Sequence, residues 1–407
     1  MLRSRPLPAP PRDTVLSYGR HLIEEDDVAA VVDALRSDML TQGPRVEAFE
    51  KAFAQSVGSM DAVACTSGTA GLHLSMAALD LRPGEVCIVP AITFLSTATA
   101  ARFCGAEVVF ADVDPTTGLM TPDTLEEALK RFRKPVRAIA PVHLGGRMAD
   151  VISIAGVADR IGADVIEDCC HALGSVSATS LIAGGCAWSS ASVFSFHAIK
   201  TIACGEGGMV TVNDPMLAER MRRLRNHGVT REPGLMLDPE LSLDETGAAN
   251  PWSYEQLELG FNYRMTDIEA ALGLSQLAKL DRFVEQRGRL ASLYDRLVEP
   301  LAPLVYPVRP EPGEQPGLHL YQVRVDFRAA GVSRARLMRE LRSRGVGAQV
   351  HYIPIYRQPY FANRYGAMRL PGAEAYYAQT LSLPLFPAMT AGDVARVMRE
   401  LSRALGV

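Results

Sequence analysis

Between residues 62 and 168, short apolar runs alternate with longer helical patterns, and that alternation leaves few folds open. Residues 62–66, 85–90, 107–112, 136–142 and 163–168 read as strands, and 67–79, 96–103, 121–133 and 149–161 as the helices between them. Strands separated by helices of roughly 10–15 residues predict a largely parallel sheet covered on both faces. Such sheets place ligands at the carboxyl ends of their strands. Ser67, Phe94 and Asp168 each follow a predicted strand end, and Lys200 lies shortly after another. Beyond about residue 285 the rhythm changes. A strand over 319–327, a helix over 333–344, a strand over 347–353 and a helix over 391–405 predict a smaller α+β domain. The chain then divides into a flexible lead-in over 1–17, a large domain over 18–285 and a small C-terminal domain over 286–407.

Other signals fix the helix ends. Asp214-Pro215 opens a helix running to Arg225, and Thr266-Asp-Ile-Glu269 has capping-box spacing. A helix over 24–37 presents Val28, Val31, Val32 and Leu35 on one face. The segment 228–250 is polar and reads as a long surface loop.

Composition excludes several functions. The net charge of −4 supplies no bulk basic field for nucleic acid or anionic membrane. No apolar run is long enough for a transmembrane helix, and the Pro-rich start lacks the apolar core of a signal peptide. The seven cysteines are odd in number, include no Cys-x-x-Cys pair and sit mostly in apolar runs. They predict reduced thiols in a cytoplasmic protein, with neither a disulfide frame nor a metal site.

Only five of the 42 basic residues are lysine. Lys51, Lys130, Lys134 and Lys279 fall where solvated faces are expected. Lys200 follows the apolar run of Val193, Phe194 and Phe196 and precedes Gly205-Glu-Gly-Gly208. A lone lysine is usually a surface residue; its neighbours suggest a Schiff base with pyridoxal 5′-phosphate (PLP). That cofactor needs a lysine for its aldehyde, a carboxylate against its pyridine nitrogen, a stacking residue and a phosphate cradle. Asp168 can be the carboxylate or equally the N-cap of the next helix. Phe94 can stack on the ring or sit in the core. Ser67-Gly68-Thr69 opens a helix with bare N–H groups, an anion site by dipole and geometry, although many helices begin this way. Ser195 can add a hydroxyl, and His171 can reach the ring hydroxyl or be an ordinary buried polar group. The glycine cluster lacks the spacing of a dinucleotide loop or P-loop.

Four stretches together carry a specific likeness: Ser195-Phe-His-Ala-Ile-Lys200 with Gly205-Glu-Gly-Gly208, Glu167-Asp-Cys-Cys-His171-Ala-Leu-Gly174, Thr66-Ser-Gly-Thr-Ala70, and Gly260-Phe-Asn-Tyr-Arg264. The chain resembles the DegT/DnrJ/EryC1/StrS family of PLP-dependent sugar aminotransferases over nearly its whole length. The resemblance implies fold type I, a homodimer with shared active sites, and transfer of an amino group from L-glutamate to a nucleotide-linked 4-keto-6-deoxy sugar. Within the family, His171, Leu40-Thr-Gln-Gly43 and the run 348–356 resemble the branch that aminates C4 of a UDP-linked N-acetylhexosamine for pseudaminic acid.

Carried over by position, the resemblance makes Lys200 the aldimine lysine and Asp168 the partner of the pyridine nitrogen. His171 then sits near the ring hydroxyl and Phe94 on the ring face. Gly68, Thr69, Ser195 and Asn262 of the partner subunit hold the phosphate. Tyr18, Leu40, Thr41, His351 and Tyr352 line the sugar-nucleotide site. Gly71 stands where relatives often have Ala or Ser, a departure expected to loosen that helix start. A family dehydratase would replace Lys200 with His, and a catalytically silent PLP-fold protein would lose Lys200 or Asp168. An aminotransferase for a GDP- or dTDP-linked sugar remains the alternative within the family.

Overall fold

The computed structural model describes residues 15–131 and 134–407. The predicted lead-in lies largely outside them, as does the end of the helix expected over 121–133. Seven strands form the main sheet: β1 (Asp61–Cys65), β2 (Val86–Pro90), β3 (Glu107–Ala111), β4 (Val136–Ile139), β5 (Asp164–Asp168), β6 (Ala191–Ser195) and β7 (Gly208–Val212). Their order is β1-β7-β6-β5-β4-β2-β3. Every pairing is parallel except those of β7, which runs antiparallel to both β1 and β6. The carboxyl ends of β1, β2, β4, β5 and β6 therefore meet at one edge.

Both faces are covered, as the continuous apolar strands require. On one side the helices Gly68–Ala78, Leu95–Phe103 and Pro215–Arg225 bury Leu72, Leu74, Met76, Leu217 and Met221 against Val193 and Val210. On the other, the helix Pro44–Val57 packs Phe49 and Phe53 against Phe194 and Phe196. Asp214 caps the helix at Pro215 by accepting from the N–H groups of Met216 and Leu217, and Thr266 and Glu269 form the expected capping box. Among the described residues, no helix is long and apolar enough to cross a membrane.

Glycines set how closely the layers approach. A Cβ at Gly208 would lie 2.3 Å from the carbonyl oxygen of Ser67, so the start of β7 presses directly on the loop that opens the helix Gly68–Ala78. A Cβ at Gly71 would come within 2.8 Å of Val193 Cγ1. Gly71 thus lets that helix sit hard against β6.

A second sheet, β10-β11-β12, is antiparallel throughout (Val305–Pro307, Tyr321–Val325, Thr380–Leu383), after the short antiparallel pair β8-β9 (Val229–Thr230, Glu255–Gln256). It packs with the helices Arg334–Ser343 and Ala391–Leu405 around Val323, Leu337, Leu383, Val397 and Leu401. The long helix Leu280–Val298 runs through position 285 and serves both cores, with Leu280 and Phe283 in one and Leu290 and Tyr294 in the other. Leu16 is drawn to the second unit, exchanging backbone hydrogen bonds with Gly345 and Gly347.

Three sequence expectations fail here. The segment 347–353 is not a strand: it makes one bridge, Gln349 to Ser382, and then leaves the sheet edge. Its polar side chains turn to other partners, and Pro354 brings no N–H to extend a ladder. The helix Glu25–Leu35 leaves Val28 47% and Leu35 53% exposed and buries Asp27 instead. Asp27 accepts from Ser275 Oγ (2.7 Å) and Gln276 Nε2 (2.8 Å) and pairs with Lys279 Nζ at 2.8 Å. Lys279 is accordingly buried, clasped also by Glu24 and Asp26, and does not lie on a solvated face.

The Gly208 contact makes a stability prediction. Gly208→Ala should cost about 1–3 kcal/mol in urea unfolding, because backbone rather than a flexible side chain must yield. Gly234→Ala, where a Cβ meets nothing within 4 Å, should change stability by less than about 0.5 kcal/mol.

Candidate active site

At the shared edge of the main sheet lies a cavity of about 600 Å3. Asp168 ends β5 on its floor, Lys200 hangs from the turn after β6, and Ser67, Gly68 and Thr69 enter after β1. Thr93 and Phe94 follow β2, and Tyr18, His351 and Tyr352 form the wall contributed by the second unit and the N-terminal segment. Ten of the thirteen residues singled out by sequence converge here: Tyr18, Gly68, Thr69, Phe94, Asp168, His171, Ser195, Lys200, His351 and Tyr352. Leu40, Thr41 and Asn262 do not line this cavity. Thr41 bridges to Thr266, Asn262 bridges to Asn226, and Leu40 is 45% exposed.

Asp168 is 4% exposed. Its Oδ2 accepts from Thr97 Oγ1 at 2.7 Å and its Oδ1 from the Cys170 N–H at 3.1 Å. Thr97 has one hydroxyl hydrogen and gives it to Asp168, so Thr93, 2.7 Å away, must donate to Thr97. Asp168 therefore caps the turn at Cys170 and also faces the cavity, with no cationic side chain within 4.0 Å among the described residues. A buried carboxylate held only by neutral donors fits a protonated pyridine nitrogen. Alternation along β5 sends Glu167 to the opposite face, where it accepts from His143 Nε2 (2.7 Å), Ser189 Oγ (2.5 Å) and Ser192 Oγ (2.9 Å).

The phosphate end also fits. Ser67 caps the helix Gly68–Ala78 by accepting from the Ala70 N–H, while the N–H groups of Gly68 and Thr69 have no partner among the described residues. A Cβ at Gly68 would meet Ser195 Cβ at 2.9 Å and Cys170 Sγ at 3.0 Å, so only glycine keeps this cradle open. Phe94, 53% exposed as the N-cap of its helix, can lie over a ring held between cradle and carboxylate. Burial pushes the Lys200 ammonium below the ordinary lysine range, opposed by Cys170 and Asp168. A neutral, nucleophilic amine is what aldehyde capture requires.

The opposite wall is aromatic and neutral. His171 Nδ1 accepts from the Gly145 N–H (3.3 Å), and its Nε2 lies 3.1 Å from the Tyr352 hydroxyl. His319, which the sequence reading passed over, places its ring 4.6 Å from that of His171. His351 Nδ1 lies 2.8 Å from Ser382 Oγ, and its ring is 5.3 Å from that of Tyr18. Burial, reinforced by Lys200 and neighbouring cations or histidines, pushes His171 and His319 well below the usual histidine value; burial and Lys200 bring His351 to about 3. Burial also keeps the Tyr352 phenol protonated. Thr97 was missed as well: nothing in its local pattern separates it from any helix threonine.

Two predictions follow from this geometry. Asp168→Asn should weaken PLP binding by at least about tenfold in absorbance titration, while Thr97→Val should weaken it less, since Cys170 N–H still holds the carboxylate. The histidines also make stability pH-dependent. In the unfolded chain they take a proton near pH 6.5, whereas His351 in the fold does so only at about 3. The unfolded state therefore binds more protons across that window, and stability must fall as pH drops below about 6.5. Urea midpoints at pH 7.5 and 5.0 should differ, and His351→Asn should shrink the difference.

Comparison with known proteins identifies the family. Residues 21–402 match the DegT/DnrJ/EryC1/StrS aminotransferase family. Helicobacter pylori PseC, an aminotransferase of pseudaminic acid biosynthesis, is 28% identical with a TM-score of 0.86, over 97% of this chain and 100% of its own. TlmJ, an aminotransferase from Streptoalloteichus hindustanus, is 30% identical with a TM-score of 0.84, covering 96% of this chain and 99% of its own. The sugar aminotransferase Spr1654 of Streptococcus pneumoniae in its PLP form is 25% identical with a TM-score of 0.84, over 96% and 99%. The α/β architecture with its mostly parallel sheet is that of these PLP-dependent enzymes, and the chain belongs to the DegT/DnrJ/EryC1/StrS family as a PLP-dependent sugar aminotransferase.

Proposed function

We propose that the enzyme transfers the amino group of L-glutamate to C4 of a UDP-linked 4-keto-6-deoxy-N-acetylhexosamine, in the cytoplasm, on the route to pseudaminic acid. The convergence of Lys200, Asp168 and the helix start at Ser67 in one cavity, walled by His351 and Tyr352, carries the reading. The finer substrate assignment is supported by the full-length likeness to PseC and by the run 348–356 that supplies that wall.

When bound, PLP supplies an electron sink for the bond being broken next to the amino group. The residues of this chain do the rest. Asp168, anchored by Thr97 and Cys170, presents its negative charge where a protonated ring nitrogen would sit. Gly68, Thr69 and Ser195 hold the phosphate through backbone N–H groups and a hydroxyl. Phe94 covers the ring. Lys200 Nζ, with its pKa lowered by burial, would take the proton from the donor's α-carbon as general base and deliver it, as general acid, to the carbon that carried the cofactor's aldehyde. Tyr18, His351 and Tyr352 line the acceptor sugar. We further assign the two units, 18–285 and 286–407, to cofactor binding and to closure of the substrate wall. In a homodimer, Leu40, Thr41 and Asn262, which stand away from this chain's own cavity, would complete the neighbouring one: the phosphate cradle would gain Asn262 of the partner subunit.

A panel of UDP-, GDP- and dTDP-linked 4-keto-6-deoxy sugars tests the substrate. Release of 2-oxoglutarate from glutamate should be fastest, by about tenfold or more, with the UDP-linked N-acetylhexosamine. Equal or faster release with a GDP- or dTDP-linked sugar would contradict the reading.

A further inference from the structure

His171 is engaged at both ring nitrogens, and the two contacts differ in kind. At Nδ1 the partner is the backbone N–H of Gly145, which can only donate. Nδ1 must then be the bare acceptor nitrogen, so the single proton of the neutral ring resides on Nε2. Nε2–H faces the Tyr352 oxygen at 3.1 Å and donates to it. The phenolic hydrogen of Tyr352 is thereby turned away from His171. The Tyr352 hydroxyl has no second partner among the described residues, and Tyr352 lines the cavity.

The donor that sets this direction is held firmly. Gly145 has φ +72°, and a Cβ there would lie 2.4 Å from Gln322 Oε1. Gln322 is clamped between Arg147 Nη2 (2.7 Å) and the Tyr376 hydroxyl (2.7 Å). Tyr376 in turn donates to the His351 carbonyl at 3.3 Å. One buried node thus fixes both ends of the chain: the amide that bonds His171 and the segment that carries Tyr352. The groups facing His171 are Lys200, His319, His351, Tyr352 and Arg147. The cationic ones among them disfavour a second proton on its ring.

We propose that Gly145 locks His171 as the Nε2–H tautomer and that Tyr352 thereby keeps its hydroxyl hydrogen free to donate to an oxygen of the sugar acceptor. A neutral phenol flanked by Phe94, at 6.0 Å, and His351, at 4.9 Å, suits a carbonyl or hydroxyl oxygen; a carboxylate would call for a cation. The role of Tyr352 rests on the keto-sugar reading above; the tautomer of His171 does not.

Nitrogen NMR of the holoenzyme labelled with 15N-histidine reads the tautomer directly. The resonances lost in His171→Gln should show a protonated Nε2 and a bare Nδ1, unchanged from pH 6 to 8.5. A protonated Nδ1, or titration within that range, overturns the lock. Tyr352→Phe should lower kcat/KM for the keto sugar by about tenfold, and clearly more than it lowers the glutamate half-reaction. Equal losses in both half-reactions, or none, overturn the donor role. If no keto sugar draws the amino group from the enzyme, the substrate reading falls and the Tyr352 assignment with it, while the NMR result still decides the tautomer.

Discussion

A carboxylate buried at the end of a strand, with no cationic side chain within 4.0 Å among the described residues, is the constraint on which this structure turns. Burying an unpaired charge costs several kcal/mol, and two neutral hydrogen bonds offset only part of that. Asp168 is nevertheless held in place by Thr97 and the Cys170 N–H, both of which stabilise its charged form. A cationic partner would offset the remainder, and the cavity places a lysine, a helix start and an open glycine cradle around the same space. The parallel sheet is what makes this convergence possible. Because β1, β2, β5 and β6 point the same way, residues from distant parts of the sequence arrive at one edge.

The wall that faces Asp168 is electrostatically its opposite. Three buried histidines are kept neutral, and the nearby guanidinium groups are themselves buried with no carboxylate partner within 4.0 Å among the described residues. Arg287 directs Nη1 at the carbonyls of Leu385 (2.9 Å), His319 (3.2 Å) and Leu318 (3.4 Å), and burial lowers it to about 10. Arg147 is 1% exposed and bonds Gln322 and the Thr117 carbonyl. Arg287 grips the backbone that carries His319 and Arg147 holds Gln322, and both discourage protonation of the neighbouring histidines. A site that must bind phosphorylated molecules and keep a lysine amine deprotonated gains on both counts from such surroundings.

Much of this was legible in the sequence because it rests on local pattern. The strand–helix alternation, the caps at Asp214 and Thr266, and the isolation of Lys200 between two strands all follow from neighbouring residues. Ten of the proposed site residues do share one cavity. What stayed hidden depends on contacts between distant segments. The support that Thr97 gives Asp168 comes from a residue 71 positions away. His319 earns its place only when the small sheet packs against the loop after β4. The burial of Asp27 and Lys279 reverses the amphipathic reading of the helix Glu25–Leu35, since hydrogen bonding to Ser275 and Gln276 outweighs the apolar stripe. The expected strand over 347–353 fails because its side chains serve the cavity and not a sheet.

The central claim is that Lys200 is the residue that holds the cofactor, and reductive trapping tests it most directly. Borohydride treatment of the holoenzyme, followed by digestion and mass spectrometry, should place the pyridoxyl phosphate mass on Lys200 and bleach the visible absorbance. The same label on another lysine, or undiminished cofactor absorbance in Lys200→Ala, would contradict the account.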